Sequence, residues 1–78
     1  MKILVAEDDA NTRTGLIEIL EREGYETVSA GNGREALDLY RRERPDVLCL
    51  DVMMPEIDGY EVCREVRRDD RLVPILFI

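Results

Sequence analysis

The chain has 78 residues, of which 18 are acidic and 11 are basic, so its formal net charge is −7 at pH 7. That balance argues against direct nucleic-acid binding by this segment and against binding to an anionic membrane, since both depend on clustered lysine and arginine. The absence of histidine excludes Ser-His triads and zinc sites of the histidine type, whereas the 45% hydrophobic and 37% charged composition is typical of a globular domain.

The first element is a short apolar run at residues 3–6, which predicts a strand buried on both faces. Three acids follow it directly: Glu7, Asp8 and Asp9. Residues 10–23 place apolar side chains at helical spacing, and Gly24 supplies a C-terminal stop, which predicts a first helix. We expect its buried positions to be Leu16, Ile19 and Leu20.

The second strand and helix are predicted between residues 25 and 45. Residues 25–30 favour a β-strand, and Gly31-Asn32-Gly33 predicts a turn. Asn32 with Glu35 three residues later resembles a capping box, and Pro45 closes the helix. A phosphate-binding loop is not indicated here, because neither glycine-rich phosphate motif is present.

The last elements are two apolar strands around a third helix. Residues 46–51 form an apolar run with Asp51 at its far end, which predicts a central strand, and residues 52–57 are predicted to be a loop. Asp58 and Glu61 offer a second capping box for the third helix. Residues 67–71 are expected to be a solvated end, and residues 74–78 predict a fourth strand.

The alternation β-α-β-α-β-α-β predicts a parallel sheet with helices on both faces. Sites in such sheets lie at the carboxyl ends of the strands, where the strand order reverses. Glu7, Asp8 and Asp51 converge there if the first and third strands are neighbours. Three converging carboxylates suit a hard divalent cation such as Mg²⁺, and a neutralised carboxylate can accept a phosphoryl group. Asp51 is placed for that role.

Structural roles for the same residues stay open at this point. The acids after the first strand also suit a helix N-terminus, and we interpret Asp9 as a cap. Asp51 on its own is also compatible with a turn. Met53 and Met54 are either loop residues or part of a partner surface, and their spacing does not decide between these roles.

Two further features bear on the cellular compartment. Met1 is followed by Lys2 and only four apolar residues, which predicts neither a signal peptide nor a membrane-spanning helix. Cys49 and Cys63 lack CxxC spacing and are predicted to be free buried thiols in a reducing environment. We therefore expect a cytoplasmic protein.

Four segments carry a resemblance to a known family. They are KILVAEDD at residues 2–9 with Arg13 after it, GREAL at 33–37, PDVLCLDVMMPEIDG at 45–59 and PILFI at 74–78. Together they resemble the receiver domain of two-component response regulators, and the likeness runs along the whole chain. The resemblance implies a flavodoxin-like doubly wound sheet in the order 2-1-3-4.

The resemblance also implies residue roles. Asp51 corresponds to the phosphoacceptor, which takes a phosphoryl group from a sensor histidine kinase. Glu7 and Asp8 correspond to the acidic pair that holds Mg²⁺, with Asp51 and the backbone carbonyl of Met53 as further ligands. Pro55 and Gly59 correspond to residues that shape the following loop. Phosphoryl transfer depends mainly on positioning and charge neutralisation, which such a site supplies.

Residues 1–78 are expected to be a partial receiver domain, ending after strand four. The Thr or Ser, the Lys and the switch aromatic that the resemblance implies would all come later. Strand four would then be an apolar edge, and we expect a homo-oligomer joined through it. The alternative function is a signalling-incompetent fragment that acts as an interaction module. A different Mg²⁺-dependent phosphatase or phosphotransferase is disfavoured, because Met53 stands where a second acid is wanted.

Overall fold

The chain alternates strictly between four strands and three helices, and the computed structural model describes residues 1–78. The elements are β1 (Lys2–Ala6), α1 (Ala10–Arg22), β2 (Glu26–Ala30), α2 (Gly33–Glu43), β3 (Val47–Leu50), α3 (Gly59–Asp69) and β4 (Ile75–Phe77). Each predicted element is present. The predicted strands two, three and four were each one or two residues too long. Flanking residues such as Asp51 and Ile78 still donate a main-chain hydrogen bond to the neighbouring strand.

The sheet is parallel throughout and has the strand order β2-β1-β3-β4. This confirms the flavodoxin-like doubly wound arrangement in the order 2-1-3-4. In the register of the two central strands, Ala6 lies opposite Leu50. The residues that follow these two positions are therefore neighbours at one edge of the sheet, which is where the acids are.

The main hydrophobic core lies between the sheet and the pair of helices α2 and α3. Alternate residues of β1 and β3 point into it, and it is closed by buried side chains from both helices. The fully buried members are Leu4, Ala6, Ala30, Ala36, Leu48, Leu50, Val62 and Val66. Burial of a leucine or valine side chain contributes about 1.5–3 kcal/mol, so this face carries most of the hydrophobic stabilisation.

Helix α1 covers the opposite face less completely, and none of its residues is fully buried. Leu16, Ile17 and Leu20 are half-buried, but 57% of Ile19 is exposed. The prediction that Ile19 belongs to the buried stripe was wrong. The side chains that face the sheet follow the line through Arg13, Ile17 and Leu20, which turns Ile19 towards solvent.

The helix ends follow the predicted capping chemistry. Asp9, Asn32 and Asp58 are the three N-caps, and each accepts a hydrogen bond from the amide three residues later, at 2.8–2.9 Å. The Glu35 side chain accepts from the Gly31 amide, one residue earlier than a capping box requires. Gly24 ends α1 with a φ of 92°, which favours glycine.

The end of α3 is less exposed to solvent than predicted. Arg67 is half-buried, and its guanidinium donates to the carbonyl oxygen of Val73 at 2.7 Å. The prediction of a solvated end was therefore wrong for Arg67, which ties α3 to the start of β4. Cys49 and Cys63 are free, as predicted, but they are only half-buried. None of the three helices has the length and apolar character that crossing a membrane requires.

Candidate functional site

The three predicted acids meet at the carboxyl ends of β1 and β3. Ligand oxygens of Glu7, Asp8 and Asp51 all lie within 4.8 Å of one another. Main-chain hydrogen bonds fix this convergence, because the Asp51 amide donates to the Ala6 carbonyl at 2.9 Å and the Glu7 amide donates to the Ala30 carbonyl at 3.1 Å. The acids thus continue the ladder of the parallel sheet.

The three side chains differ in exposure. Glu7 is buried, with only 8% of its surface exposed, whereas Asp51 is half-buried and Asp8 is exposed. The Glu7 carboxylate accepts a hydrogen bond from the Asp9 amide at 3.0 Å, and Asp51 Oδ1 accepts from the Met53 amide at 3.1 Å. No main-chain amide, lysine or arginine donates to the second oxygen of Asp51. Asp51 is consequently anchored and still available to a ligand.

None of the three carboxylates is in an ion pair with lysine or arginine. The cluster therefore holds negative charge without a cation from the chain. An all-oxygen donor set of this size and charge fits a hard divalent cation, and Mg²⁺ in particular is bound by a few carboxylates together with water and phosphate oxygens. The residues present thus fit the predicted metal.

Charge crowding affects Glu7 most. Burial raises the pKa of its carboxyl above the ordinary value of 4.5, and the neighbouring Asp51 and Asp8 raise it further, although the Asp9 amide opposes the shift. The folded chain therefore favours the protonated form of Glu7 more than the unfolded chain does. A cation bound among the three acids would reverse this preference.

The Glu7 shift predicts a pH dependence of stability in the metal-free chain. An acid with a raised pKa in the folded state stabilises the fold at pH values below its unfolded pKa, and this contribution is lost as the pH rises through the folded pKa. Thermal midpoints measured across that range should therefore decline more steeply for the wild type than for Glu7→Gln, whose amide oxygen can still accept from Asp9. Parallel curves for the two proteins would contradict this assignment.

The loop after β3 forms one wall of the site. The Gly59 amide donates to the Val52 carbonyl at 3.0 Å, and the Ile57 amide donates to the Pro55 carbonyl at 2.8 Å. Glu56 lies between Pro55 and Ile57 and has a φ of 67°, which is unusual for a residue other than glycine. Pro55 thus starts a tight three-residue turn, and Gly59 closes the loop.

The two methionines of this loop have separate environments. Met54 packs into the core, whereas 79% of Met53 is exposed. The Met53 amide is the group that contacts Asp51, and its carbonyl as a metal ligand stays a prediction. An open cavity of about 600 Å³ lies beside the acids, lined by Asp8, Val52, Met53, Met54, Asp58 and Tyr60.

Sequence reasoning assigned no role to Arg13, although its guanidinium reaches the site. The side chain extends from α1 and donates to the Glu7 carbonyl at 2.7 Å. Sequence reasoning also missed the close approach of Gly33 to Ile57: a Cβ at Gly33 would lie under 3.0 Å from the Ile57 backbone. The sequence signal that was available for the contact of Gly33 with Ile57 is a glycine at the first position of a helix.

A parallel sheet in the order 2-1-3-4 with an acidic cluster at the ends of its central strands defines a flavodoxin-like α/β protein with its site at the topological switch point. The family model for the response regulator receiver domain matches residues 3–78. The chain belongs to this family, and it is a receiver domain of the two-component response regulators.

Two curated relatives illustrate the similarity. The chain is 49% identical over 74 residues to the transcriptional regulatory protein AfsQ1 of Streptomyces coelicolor, which covers 95% of this chain and 33% of that protein. It is 44% identical over 77 residues to the alkaline phosphatase synthesis transcriptional regulatory protein PhoP of Bacillus subtilis, which covers 99% of this chain and 32% of the relative. The chain thus spans about a third of the length of these relatives.

Solved structures agree with the fold. The chemotaxis protein CheY4 of Vibrio cholerae superposes with a TM-score of 0.93 at 36% identity, covering 97% of this chain and 65% of that one. The response regulator TrrA of Thermotoga maritima, solved in complex with Mg²⁺-BeF, superposes with a TM-score of 0.91 at 42% identity, covering 95% of this chain and 64% of that one.

Proposed function

We propose that the chain accepts a phosphoryl group on Asp51 from a sensor histidine kinase, in a reaction that depends on Mg²⁺. The observation that carries the proposal is the convergence of the Glu7, Asp8 and Asp51 carboxylates within 4.8 Å of one another. The Mg²⁺-BeF complex of TrrA supports the same choice of metal. The chain would be the partial receiver domain of a longer protein, and since relatives are named transcriptional regulators, the phosphorylation would serve transcriptional control.

The geometry favours Asp51 over its two neighbours as the nucleophile. Glu7 is buried, with only 8% of its surface exposed, so a phosphoryl donor has little access to its carboxylate. Asp8 is exposed, and no main-chain amide donates to its carboxylate to fix its orientation. Asp51 has one oxygen held by the Met53 amide and one that is free, so its free oxygen has a defined direction of attack.

The residues of the site have different roles in the proposed phosphoryl transfer. Glu7, Asp8 and Asp51 would hold Mg²⁺, with the Met53 carbonyl as a further ligand, and the bound ion would neutralise the negative charge of the incoming phosphoryl group. The free oxygen of Asp51 bonds to phosphorus, the phosphorus–nitrogen bond of the donor's phosphohistidine breaks, and the electron pair leaves with the imidazole. Pro55 and Gly59 would keep the loop that carries Met53 in place.

A direct test uses the 78-residue chain and acetyl phosphate as a small-molecule donor. Intact-mass spectrometry should show one phosphoryl adduct in the presence of Mg²⁺ and none after chelation with EDTA. An Mg²⁺ titration by calorimetry should show saturable binding to the same chain. A folded chain that neither binds Mg²⁺ nor forms the adduct would contradict the proposed function.

The alternative is an interaction module, and one observation favours it. Strand β4 pairs with β3 on one side only, and its apolar residues are exposed: Leu76 by 57%, Phe77 by 44% and the following Ile78 by 47%. Phe77 is partly covered by Tyr60, with the two ring centroids 5.2 Å apart. An open apolar edge of this kind can pair with another chain.

The 78-residue chain is accordingly predicted to associate with itself through β4. Leu76→Lys should shift it towards a monomer in light scattering, because a lysine on an edge strand opposes strand pairing. Ile19→Lys is a matched control, since Ile19 is equally exposed at 57% but lies on α1. A wild-type chain that stays monomeric over the concentrations tested would contradict self-association and leave the phosphoacceptor proposal unaffected.

A further inference from the structure

The Arg13 side chain donates a hydrogen bond to the backbone of the acidic site and forms no ion pair with an acidic side chain. It lies in the second turn of α1, where its amide donates to the Asp9 carbonyl at 2.9 Å. Its guanidinium turns back and donates to the Glu7 carbonyl at 2.7 Å. Arg13 forms no ion pair, although it belongs to a chain with an excess of seven negative charges.

The acceptor of this hydrogen bond is a sensitive point of the site. The Glu7 carbonyl belongs to the peptide unit that joins Glu7 to Asp8, and a peptide unit is planar. A donor that fixes the carbonyl therefore fixes the orientation of the whole unit. The directions in which the Glu7 and Asp8 side chains leave the backbone depend on that orientation.

The other hydrogen bonds of Glu7 do not fix the orientation of its carbonyl. The Glu7 amide is held by the Ala30 carbonyl at 3.1 Å, and its carboxylate accepts from the Asp9 amide at 3.0 Å. These contacts fix the residue on its amino side and at its side chain. The Arg13 guanidinium is the group that fixes it on its carboxyl side.

The Arg13 guanidinium is also packed against the backbone near Gly31. A Cβ at Gly31 would lie 3.4 Å from Arg13 Nη1, so the guanidinium packs closely against the backbone at the end of β2. Arg13 is half-buried there. A charged donor that is partly shielded from water forms a stronger hydrogen bond than an exposed one.

We propose that Arg13 is a positioning residue of the acidic site, which orients the Glu7–Asp8 peptide so that both carboxylates face Asp51. This inference rests on the proposed function, because it assigns Arg13 a part in assembling the same metal-binding carboxylates. The Arg13 guanidinium hydrogen-bonds to the Glu7 carbonyl and to none of the three carboxylates. It acts through Glu7 and Asp8.

The test compares three variants of the 78-residue chain. Arg13→Met removes both the donor and the charge, and Arg13→Lys restores a charged donor. Arg22→Met is the matched control, because Arg22 lies in the last turn of the same helix and makes no side-chain hydrogen bond or ion pair. Thermal midpoints are measured for all three to show that each is folded at the temperature of the assays.

Two readouts are expected to respond. The dissociation constant for Mg²⁺ should rise about tenfold in Arg13→Met, the size of effect seen when a group that orients a metal ligand is removed. It should largely recover in Arg13→Lys and stay unchanged in Arg22→Met. In the metal-free chain, the ¹⁵N shift of the Asp8 amide should change in Arg13→Met, because that nitrogen belongs to the same peptide unit.

The outcomes separate the inference from the proposed function. Arg13→Met with wild-type Mg²⁺ affinity and an unshifted Asp8 amide would overturn the role of Arg13, while a wild-type chain that still forms the Asp51 adduct would leave the proposed function intact. Equal losses of Mg²⁺ affinity in Arg13→Met and Arg13→Lys, in step with lower thermal midpoints, would show a purely structural role. A folded wild-type chain that binds no Mg²⁺ would overturn both.

Discussion

Replacing Asp51 with asparagine is expected to abolish the phosphoryl adduct completely while the fold stays in place. An amide oxygen does not form an acyl phosphate, so no product is expected even at high donor concentration. The fold should persist because the asparagine oxygen can still accept from the Met53 amide, which in the wild type donates to Asp51 Oδ1, and because the backbone bond to Ala6 is independent of the side chain. Intact-mass spectrometry after incubation with acetyl phosphate and Mg²⁺ measures the adduct.

Asp58→Asn is the matched control for that experiment. It makes the same chemical change in a residue that lines the cavity beside the site, and asparagine caps a helix as well as aspartate does. We expect an adduct at the wild-type level. An adduct that persists in Asp51→Asn would refute the assignment of the phosphoacceptor, whereas its loss in both variants would indicate that the charge of the whole cavity matters more than Asp51.

Replacing Gly59 with alanine is expected to lower the free energy of unfolding by about 1–3 kcal/mol, the usual cost of adding atoms to a packed site. A Cβ at this position would lie under 3.0 Å from the Asp51 carbonyl oxygen and at 3.0 Å from the Val52 Cα. Both are backbone atoms, so relief requires a shift of the loop or of α3. Urea unfolding measures the loss, and the Asp51 amide resonance should report the displacement.

Gly15→Ala is expected to have the opposite effect on the free energy of unfolding of the same chain. Gly15 lies inside α1, and no other atom lies within 4 Å of the position that a Cβ would take there. Alanine should therefore stabilise the chain by about 0.5–1 kcal/mol, the difference in helix propensity between the two residues. An unchanged or increased stability of Gly59→Ala would contradict the close approach of α3 to Asp51.

The sheet and the meeting of the acids could be predicted because both follow from short-range patterns. The apolar runs before Glu7 and Asp51 indicate buried parallel strands, and the ends of parallel strands share one edge of the sheet. The strand order itself came from the family resemblance. Caps such as Asp58 were predictable because their partners lie three residues away in the chain.

Features that depend on long-range geometry were not predictable from the residues. Arg13 donates to a backbone carbonyl, which every residue possesses, so no side-chain pattern marks the contact. The positive φ of Glu56 occurs without the glycine that would have indicated it. Tyr40 lies on the buried face of α2, and the bond from its hydroxyl to Asp69, at 2.8 Å, depends on how α2 packs against α3.

The thin packing of α1 has a thermodynamic consequence. Helix α1 has no fully buried residue, whereas α2 and α3 each have several, so we expect α1 to open at a lower free energy than the core. Such opening would release both the Asp9 cap and the Arg13 guanidinium from the β1 end of the site. Because the proposed cation would be held by the acids beside Asp9 and Arg13, we expect the order of α1 and the affinity for that cation to be linked, so that stabilising one increases the other.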